Sequence, residues 1–487
     1  MNSSTKEKHG PMTKSITRSA SVTPEKEAYV LVVGLGRSGE AMARFLKARG
    51  MQVRAVDRDT ARHQVAATLS NLGINCDLGP HAVETFENAS RIYLSPGVPL
   101  DLIPLERARA KGVPISGECD LITRYLEEPI VAITGTNGKT TVTTLISEML
   151  KESGLGVFTG GNIGTPVVEY LDGDSRADVV VAELSSFQLD TAERFAPDVA
   201  VLLNITEDHL DRYMDFYAYA RSKWSIFSHQ NQAGRAIVNA SIPDLDENLG
   251  RIRSRVFLYG TRSDKAVQKT PGFSGAVIDP PLIRIVNAAG LNPGLDGKDL
   301  CLDLTRTGLI GAHNHENIAA AALASLAAGG TMEGIQRALD LFKGLSHRIE
   351  YAGTKDGVAF YDDSKGTNPD AVVRALEAFD SPVVLILGGR SKQTDFSCLT
   401  TPVRQRVKQI VALGESREFI ARIFAGICPV VLAGSMAHAV TGAFGAAVPG
   451  DVVLLSPACA SFDMYENYAQ RGRDFVNQVT MLQSKKS

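Results

Sequence analysis

The stretch ITGTNGKTTVT, beginning at Ile133, constrains this chain more than any other. An apolar run at 129–133 enters it, and a helix-forming segment leaves it. The small residues Thr134, Gly135, Thr136, Asn137 and Gly138 let backbone N–H groups face phosphate oxygens at a helix N-terminus. Lys139 adds a point charge at the β- and γ-phosphates, and Thr140, followed by Thr141, offers a hydroxyl to Mg²⁺. The usual loop has a glycine where this chain has Ile133, so the motif is a variant. A chance Gly-Lys-Thr turn is the alternative, but a strand before it and a helix after it speak against chance. A strand ending in such a loop belongs to a parallel sheet with crossover helices, and the class is α/β.

The same alternation recurs on both sides. With 487 residues the chain exceeds one ordinary core, and two to four domains are expected. The first unit opens with YVLVVGLGRSGEAMARFLKARG, a strand, a glycine turn and a helix whose Met42, Phe45 and Leu46 share one face. QVRAVDRD and RIYLSPGVP follow as further strands. The second unit runs from PIVAITGTNGKTT through DVVVAELS, VAVLLNIT, a helix around 215–230, RAIVNA and a Pro/Gly-rich meander near 261–300. It closes on the alanine-rich HENIAAAALASLAAGG. The third repeats the logic with GVAFYDDS, NPDAVVRALEAF, PVVLILGG, QIVALG and DVVLLSPACAS. The expected division is 28–128, 129–344 and 345–487, behind a polar segment 1–27 too poor in apolar residues to order itself.

Composition excludes several functions. Apolar residues make up 44% and charged residues 22%, as in ordinary globular proteins, and a net charge of -3 gives no reason to expect nucleic acid or anionic membrane. No run approaches the roughly 20 apolar residues of a membrane helix, and the start lacks a signal-peptide core. Six scattered cysteines without CxxC spacing read as reduced thiols, so a cytoplasmic protein is expected.

Metal binding needs more ligands than Thr140. Glu183 ends the strand DVVVAE, and His209 follows the next strand in NITEDHLDRY; α/β sheets place ligands at such strand ends. Alone, His209 would read as structural, and Lys223 in YARSKWSIF as a solvated helix lysine. GLGRSG, from Gly34 to Gly39, satisfies GxGxxG, with Asp57 ending the next strand. Read by itself, it suggests a nicotinamide-dependent oxidoreductase.

TGTNGKTT, GGNIG, ELSSFQL, NITEDHLDRY, GAHNHEN, SHR, DDSKGTN, GGRSKQTDF and LLSPACASFDMYENYAQRG occur in the order seen in the Mur ligases. From about Tyr29 onward the chain resembles that family, and DSKGTN with SPACASFDMYENYAQRG points to the members that add D-glutamate. The resemblance implies three domains: Rossmann-like N-terminal, central P-loop ATPase-type α/β, and Rossmann-like C-terminal. It implies ATP-driven joining of D-glutamate to UDP-N-acetylmuramoyl-L-alanine, for peptidoglycan precursors, through an acyl phosphate. Mg²⁺ would act at two sites, whose ligands also suit Mn²⁺.

By the same resemblance, Thr140, Glu183, His209 and a Lys223 carbamylated by CO₂ hold metal, with Lys139 completing the catalytic set. Asn317, Arg348 and Asp363 reach ATP, and a surface salt bridge is the alternative for Arg348. Arg37, Ser38, Gly39, Asp57, Arg58, Gly97, Asn162 and His209 fall where the family binds the UDP sugar, although GGNIG also reads as a structural turn. Lys365, Thr367, Lys392, Ser461 and Tyr468 fall on the D-glutamate site; Tyr468 departs from the phenylalanine common there. A monomer is expected. The rivals are another Mur-type ligase, a folylpolyglutamate synthetase, the oxidoreductase, and a nucleotide-dependent scaffold. GGRSKQTDF lacks the DNPR-type motif of diamino-acid-adding members, and GLGRSGEAM lacks the GxGGxGM-like start of the MurC type.

Overall fold

The computed structural model describes residues 28–483 apart from 175, 210–211, 270–271, 293–294, 296–299 and 392–394. The expected extension 1–27 and the candidate Lys392 lie outside the described residues. Three sheets follow one another along the chain, with five, nine and six strands.

In the first sheet the order is Asn75–Leu78, Val53–Asp57, Val30–Val33, Arg91–Leu94, Ile115–Ser116, all parallel. The helix Arg37–Ala48 leaves the central strand through the glycine turn and buries Met42, Phe45 and Leu46, as their spacing predicts. Gly39 is required for close packing: a Cβ there would stand 1.7 Å from the Gly34 carbonyl oxygen.

The second sheet runs Leu300–Asp303, Leu282–Val286, Gly275–Asp279, Arg255–Thr261, Arg235–Asn239, Val199–Leu202, Ile130–Thr134, Val179–Glu183, Val157–Gly161. The strand feeding the phosphate loop therefore lies between the strand that ends in Glu183 and the one that leads to Asn204. Its far edge is antiparallel, matching the expected meander. The alanine-rich helix Ala312–Ala327 packs with the phosphate-loop helix Lys139–Glu152 over one face. Its small side chains let the backbone approach closely.

In the third sheet the order is Glu350–Lys355, Val358–Asp362, Val452–Leu455, Val383–Gly388, Val407–Leu413, Val430–Ala433, parallel beyond its first hairpin.

The seams between these units differ in kind. One apolar core runs unbroken from Val32, Met42 and Leu46 beside the first sheet to Val168, Ala182 and Leu202 in the second unit. The third unit keeps its own cores. It meets the second through polar groups: Asn137 Nδ2 donates to Asp370 at 2.7 Å, and Asn368 Nδ2 to Asp208 at 3.2 Å. An apolar seam resists opening, whereas a polar one exchanges its bonds for water at little cost. Among the described residues no helix is long and apolar enough to cross a membrane.

Gly39→Ala forces the first helix off its strand, and its stability loss should be about 1–3 kcal/mol. A wild-type denaturation midpoint in that variant would show that the close approach is not needed.

Candidate active site

The phosphate loop is braced from the neighbouring strand end. The Asn204 side chain accepts from the Asn137 amide at 2.8 Å and donates to the Asn137 carbonyl at 3.0 Å. The Thr136 amide donates to the Asn204 carbonyl, and the Thr136 hydroxyl lies 3.0 Å from the Tyr219 phenol. Gly138 takes φ of 83°, and a Cβ there would stand 2.5 Å from Asn317 Oδ1. A side chain at this position would be strained by its dihedral and would also strike the wall of the cleft. The helix Lys139–Glu152 starts directly behind, with Thr140 and Thr141 in its first turn.

Two ammonium groups converge on this loop. Lys139 Nζ donates to the carbonyls of Gly135 and Thr136 at 2.7 and 2.8 Å, and Lys223 Nζ donates to the same Gly135 carbonyl at 2.9 Å. Lys223 is buried, 4.6 Å above the Tyr219 ring. Burial holds its amine well below the usual lysine range, and the Lys139 charge pushes the same way. Burial also lowers Lys139, against the fields of Glu183 and Asp208.

Glu183 is buried at its strand end. One carboxylate oxygen accepts from Asn162 Nδ2 at 2.9 Å; the other, Oε2, is buried without a hydrogen-bond partner. An orphaned carboxylate oxygen costs free energy unless a cation or donor meets it. His209 has φ of 56° and packs edge-on against Phe187, with ring centroids 5.0 Å apart. Thr140, Glu183, His209 and Lys223 thus surround the loop with a hydroxyl, a carboxylate, an imidazole and an amine. As oxygen and nitrogen donors these fit Mg²⁺ or Mn²⁺, and the free Glu183 oxygen is the observation that favours a cation.

From the third unit, Arg348, Asp363 and Lys365 line one cleft with Asn137, Gly138 and Asn317. Asp363 is buried, accepts from Ser456 Oγ at 2.7 Å, and is pushed by burial up to about 7, against the pull of Ser456 and Arg348. Burial lowers the Arg348 guanidinium. Lys365 Nζ stands 3.9 Å above the Tyr468 ring. The tyrosine at this position therefore gives the lysine an aromatic face. Thr367 belongs to the same turn, and Ser461 is buried in the turn that follows the strand Val452–Leu455.

The first unit closes the other side. Arg37 reaches across to the Gly164 carbonyl and to Glu169, and Arg212 donates to the carbonyls of Gly97 and Val98 at 3.2 Å each. The Arg212 guanidinium also covers the Phe187 ring at 4.4 Å. Asp57 accepts from the Leu35 amide, so one of its oxygens secures the glycine turn. Ser38 and the buried Glu118 lie together, and Glu118 accepts from Gln188 at 3.1 Å. Arg58, Gly97 and Asn162 are exposed along this side.

Asn204, Tyr219, Asn368 and Asp370 escaped the sequence reading as site residues. Asn204 directly follows a strand, and Asn368 caps the helix Pro369–Glu377 by accepting from the Ala371 amide at 2.9 Å. Position after a strand and an Asn-Pro cap were the available signals.

Comparison with known proteins covers most of the chain. Residues 28–117 match the Mur ligase MurD-like N-terminal domain, 133–325 the Mur ligase middle domain, and 347–459 the Mur ligase glutamate ligase domain. A protein of Desulfosudis oleivorans named UDP-N-acetylmuramoylalanine–D-glutamate ligase is 48% identical, over 93% of this chain and 96% of its own. A Syntrophus aciditrophicus protein of the same name is 42% identical, over 92% and 97%. Among solved structures, a pseudomurein peptide ligase type C of Methanothermus fervidus shares the fold. Its TM-score is 0.58 at 20% identity, covering 93% of this chain and 100% of that one. MurF of Thermotoga maritima, solved with ADP, gives 0.55 at 17%, covering 93% and 95%.

The Asp363 shift sets a pH dependence. Its carboxyl is raised in the folded protein to about 7, against ~3.9 when unfolded. The stability this group contributes is complete below the unfolded value and is lost as pH rises through the folded one. Asparagine mimics the neutral form at every pH. The stability advantage of Asp363→Asn in ligand-free protein should therefore grow by on the order of 3 kcal/mol from about pH 5 to about pH 8. Denaturant titrations check this, and a gap that stays constant with pH would rule out a raised carboxyl.

Proposed function

This chain belongs to the Mur ligase family, and we propose that it joins D-glutamate to UDP-N-acetylmuramoyl-L-alanine at the expense of ATP. The observation that carries this reading is the likeness, at 48% identity over 93% of this chain, to a relative named for that reaction. The geometry supplies the parts the chemistry requires.

The difficulty is that a carboxylate is a poor electrophile. Its oxygen attacks the γ-phosphorus of ATP, the β–γ bridge breaks, and ADP leaves with an acyl phosphate remaining. The amine of D-glutamate then attacks the acyl carbon. Orthophosphate leaves with the former carboxylate oxygen, and the amine loses a proton. Negative charge builds on phosphoryl oxygens in the first step and on the acyl oxygen in the second. Lys139 and Arg348 would offset the first, while the Thr136 and Asn137 amides are already held by Asn204. Asn317 lines the same cleft and fits the adenine side of the nucleotide.

Thr140, Glu183, His209 and Lys223 would hold Mg²⁺ at two positions, and the metal supplies Lewis-acid charge to the phosphoryl oxygens. Lys223 would act as a carbamate. Only a neutral amine adds CO₂, and burial beside Lys139 favours the neutral form. Addition to the neutral amine forms an N–C bond, releases the proton from that nitrogen and leaves an anion, which would attract the Lys139 charge and add an oxygen donor.

Arg37, Ser38, Gly39, Asp57, Arg58 and Gly97 of the first unit, with Asn162 and His209 of the second, would hold the UDP sugar. Lys365, Thr367, Ser461 and Tyr468, with Lys392 outside the described residues, would receive D-glutamate. Two carboxylates on that amino acid call for cations and oriented donors, and Lys365 and Lys392 are the cations. Domain division at 28–128, 129–344 and 345–487 accords with the three sheets.

Phosphate release from ATP should require UDP-N-acetylmuramoyl-L-alanine together with D-glutamate, and no other amino acid of a panel should replace it. Oxygen-18 placed in the sugar peptide's carboxylate should appear in orthophosphate. Turnover with another amino acid reassigns the substrate, and release without the label removes the acyl phosphate. Lys223→Ala should lose at least about 100-fold in kcat, with partial recovery on adding short carboxylates. Full activity of that variant without them contradicts the carbamate.

A further inference from the structure

The third unit buries a cation that no step of this reaction uses. Arg471, in the first turn of the helix Tyr468–Met481, is 2% exposed. Its Nε donates to Ser364 Oγ at 2.9 Å and one terminal nitrogen to the Ser364 carbonyl at 2.8 Å; both terminal nitrogens reach the Cys459 carbonyl at 3.1 Å. All these acceptors are neutral oxygens. The carboxylates that act on it, Asp463 and Asp362, do so through space. Asp362 is already engaged with the Ser364 amide at 2.8 Å and with His347 at 2.6 Å. Stripping water from a guanidinium is expensive, and an apolar side chain would fill the space for less. What an apolar side chain lacks is a rigid fork able to hold several carbonyls at fixed spacing.

The position of those acceptors shows what the fork holds. Ser364 stands between Asp363 and Lys365, three residues before Thr367. Cys459 stands two residues before Ser461. The helix carrying Arg471 begins at Tyr468, whose carbonyl accepts from Ser364 Oγ at 2.8 Å. The same two turns are also joined directly, Ala458 amide to Gly366 carbonyl at 2.9 Å. Lys365, Thr367, Ser461 and Tyr468 thus come from three chain segments that meet at one guanidinium. A shift of any segment moves cations and donors relative to the others, and bidentate recognition of a dicarboxylate tolerates little movement.

We propose that Arg471 is a positioning residue of the amino-acid site: its bonds to Ser364 and Cys459 fix the spacing at which Lys365, Thr367, Ser461 and Tyr468 meet one amino-acid dicarboxylate. The inference rests on the reading of those four residues as the D-glutamate site. A residue that merely stabilises the domain would lower the melting temperature and disturb every substrate alike. A positioning residue acts on one substrate.

The test uses the full chain with Arg471→Lys, Ser364→Ala and the double variant, each assayed for KM of D-glutamate, ATP and sugar peptide beside its melting temperature. Lysine keeps the charge and loses the fork; alanine at 364 removes the Nε acceptor and the bond to Tyr468. KM for D-glutamate should rise at least about tenfold in each single variant, with the other two KM values within about twofold. Because the pair shares a bond, the double variant should fall short of the product of the single effects. Equal rises for all substrates, an unchanged KM for D-glutamate, or multiplicative effects would overturn the proposal. Should Arg471→Lys fail to fold, Ser364→Ala decides alone by the same readout. Wild-type protein that does not turn over D-glutamate sinks the functional reading and this inference together; active wild type with unaffected variants sinks only the inference.

Discussion

Two ammonium groups share one carbonyl oxygen, that of Gly135, and the rest of the site follows from that crowding. Like charges this close repel by several kcal/mol wherever water is excluded. The protein can bear them only by neutralising one or by surrounding both with anions. Both devices are present. Lys223 is pressed towards its neutral form, and the carboxylates of Glu183 and Asp208 raise both lysines against the cost of burial. A loop built in this way is poised for negative ligands. Phosphate suits Lys139, and the carbamate proposed for Lys223 would turn it from a competitor into a partner.

The two kinds of seam serve different parts of the same task. The first and second units share an apolar core, so the glycine turn, Asn162 and Glu183 keep a constant relation. A long sugar nucleotide needs such a fixed bed between its nucleotide end and its reacting acid. The third unit docks through Asn137, Asp208, Asn368 and Asp370, where bonds to water can replace bonds to protein. Its docking brings Arg348, Asp363 and Lys365 to the phosphate loop. On the proposed reading, the residues that would meet the nucleotide and those that would meet the amino acid are carried by this one unit.

Much of this was readable from residues. The phosphate loop, the strand end bearing Glu183, the loop after the next strand bearing His209, and the alternation of three units carry local signals: a glycine turn, an apolar run, a spacing of 3.6. The six strands that went unnoticed were Asn75–Leu78, Ile115–Ser116, Val157–Gly161, Arg255–Thr261, Glu350–Lys355 and Val430–Ala433. Each is very short or carries polar or glycine residues, and pairing with a neighbour rather than its own pattern makes it a strand. Asn204 and Arg471 were missed for another reason. Their partners lie 67 and 107 residues away, at Asn137 and Ser364, and no local spacing announces such bonds. GLGRSG misleads in the opposite sense, because a glycine turn after a strand reports close helix packing and leaves the ligand open.

An activated acid must last until the amine arrives, and water competes for it throughout. Protection by a lid alone would leave the order of binding to chance. Here the turns that carry Arg348, Lys365 and Ser461 belong to one unit, tied by the hydrogen bonds of Asp363 to Ser456 and of Ser364 to Tyr468. A third unit docked well enough to place Arg348 beside Glu183 has also brought the amino-acid turns into place. On the proposed reading, shielding and delivery would be coupled through covalent and hydrogen-bonded continuity, and an acyl phosphate would spend little time facing solvent without its nucleophile.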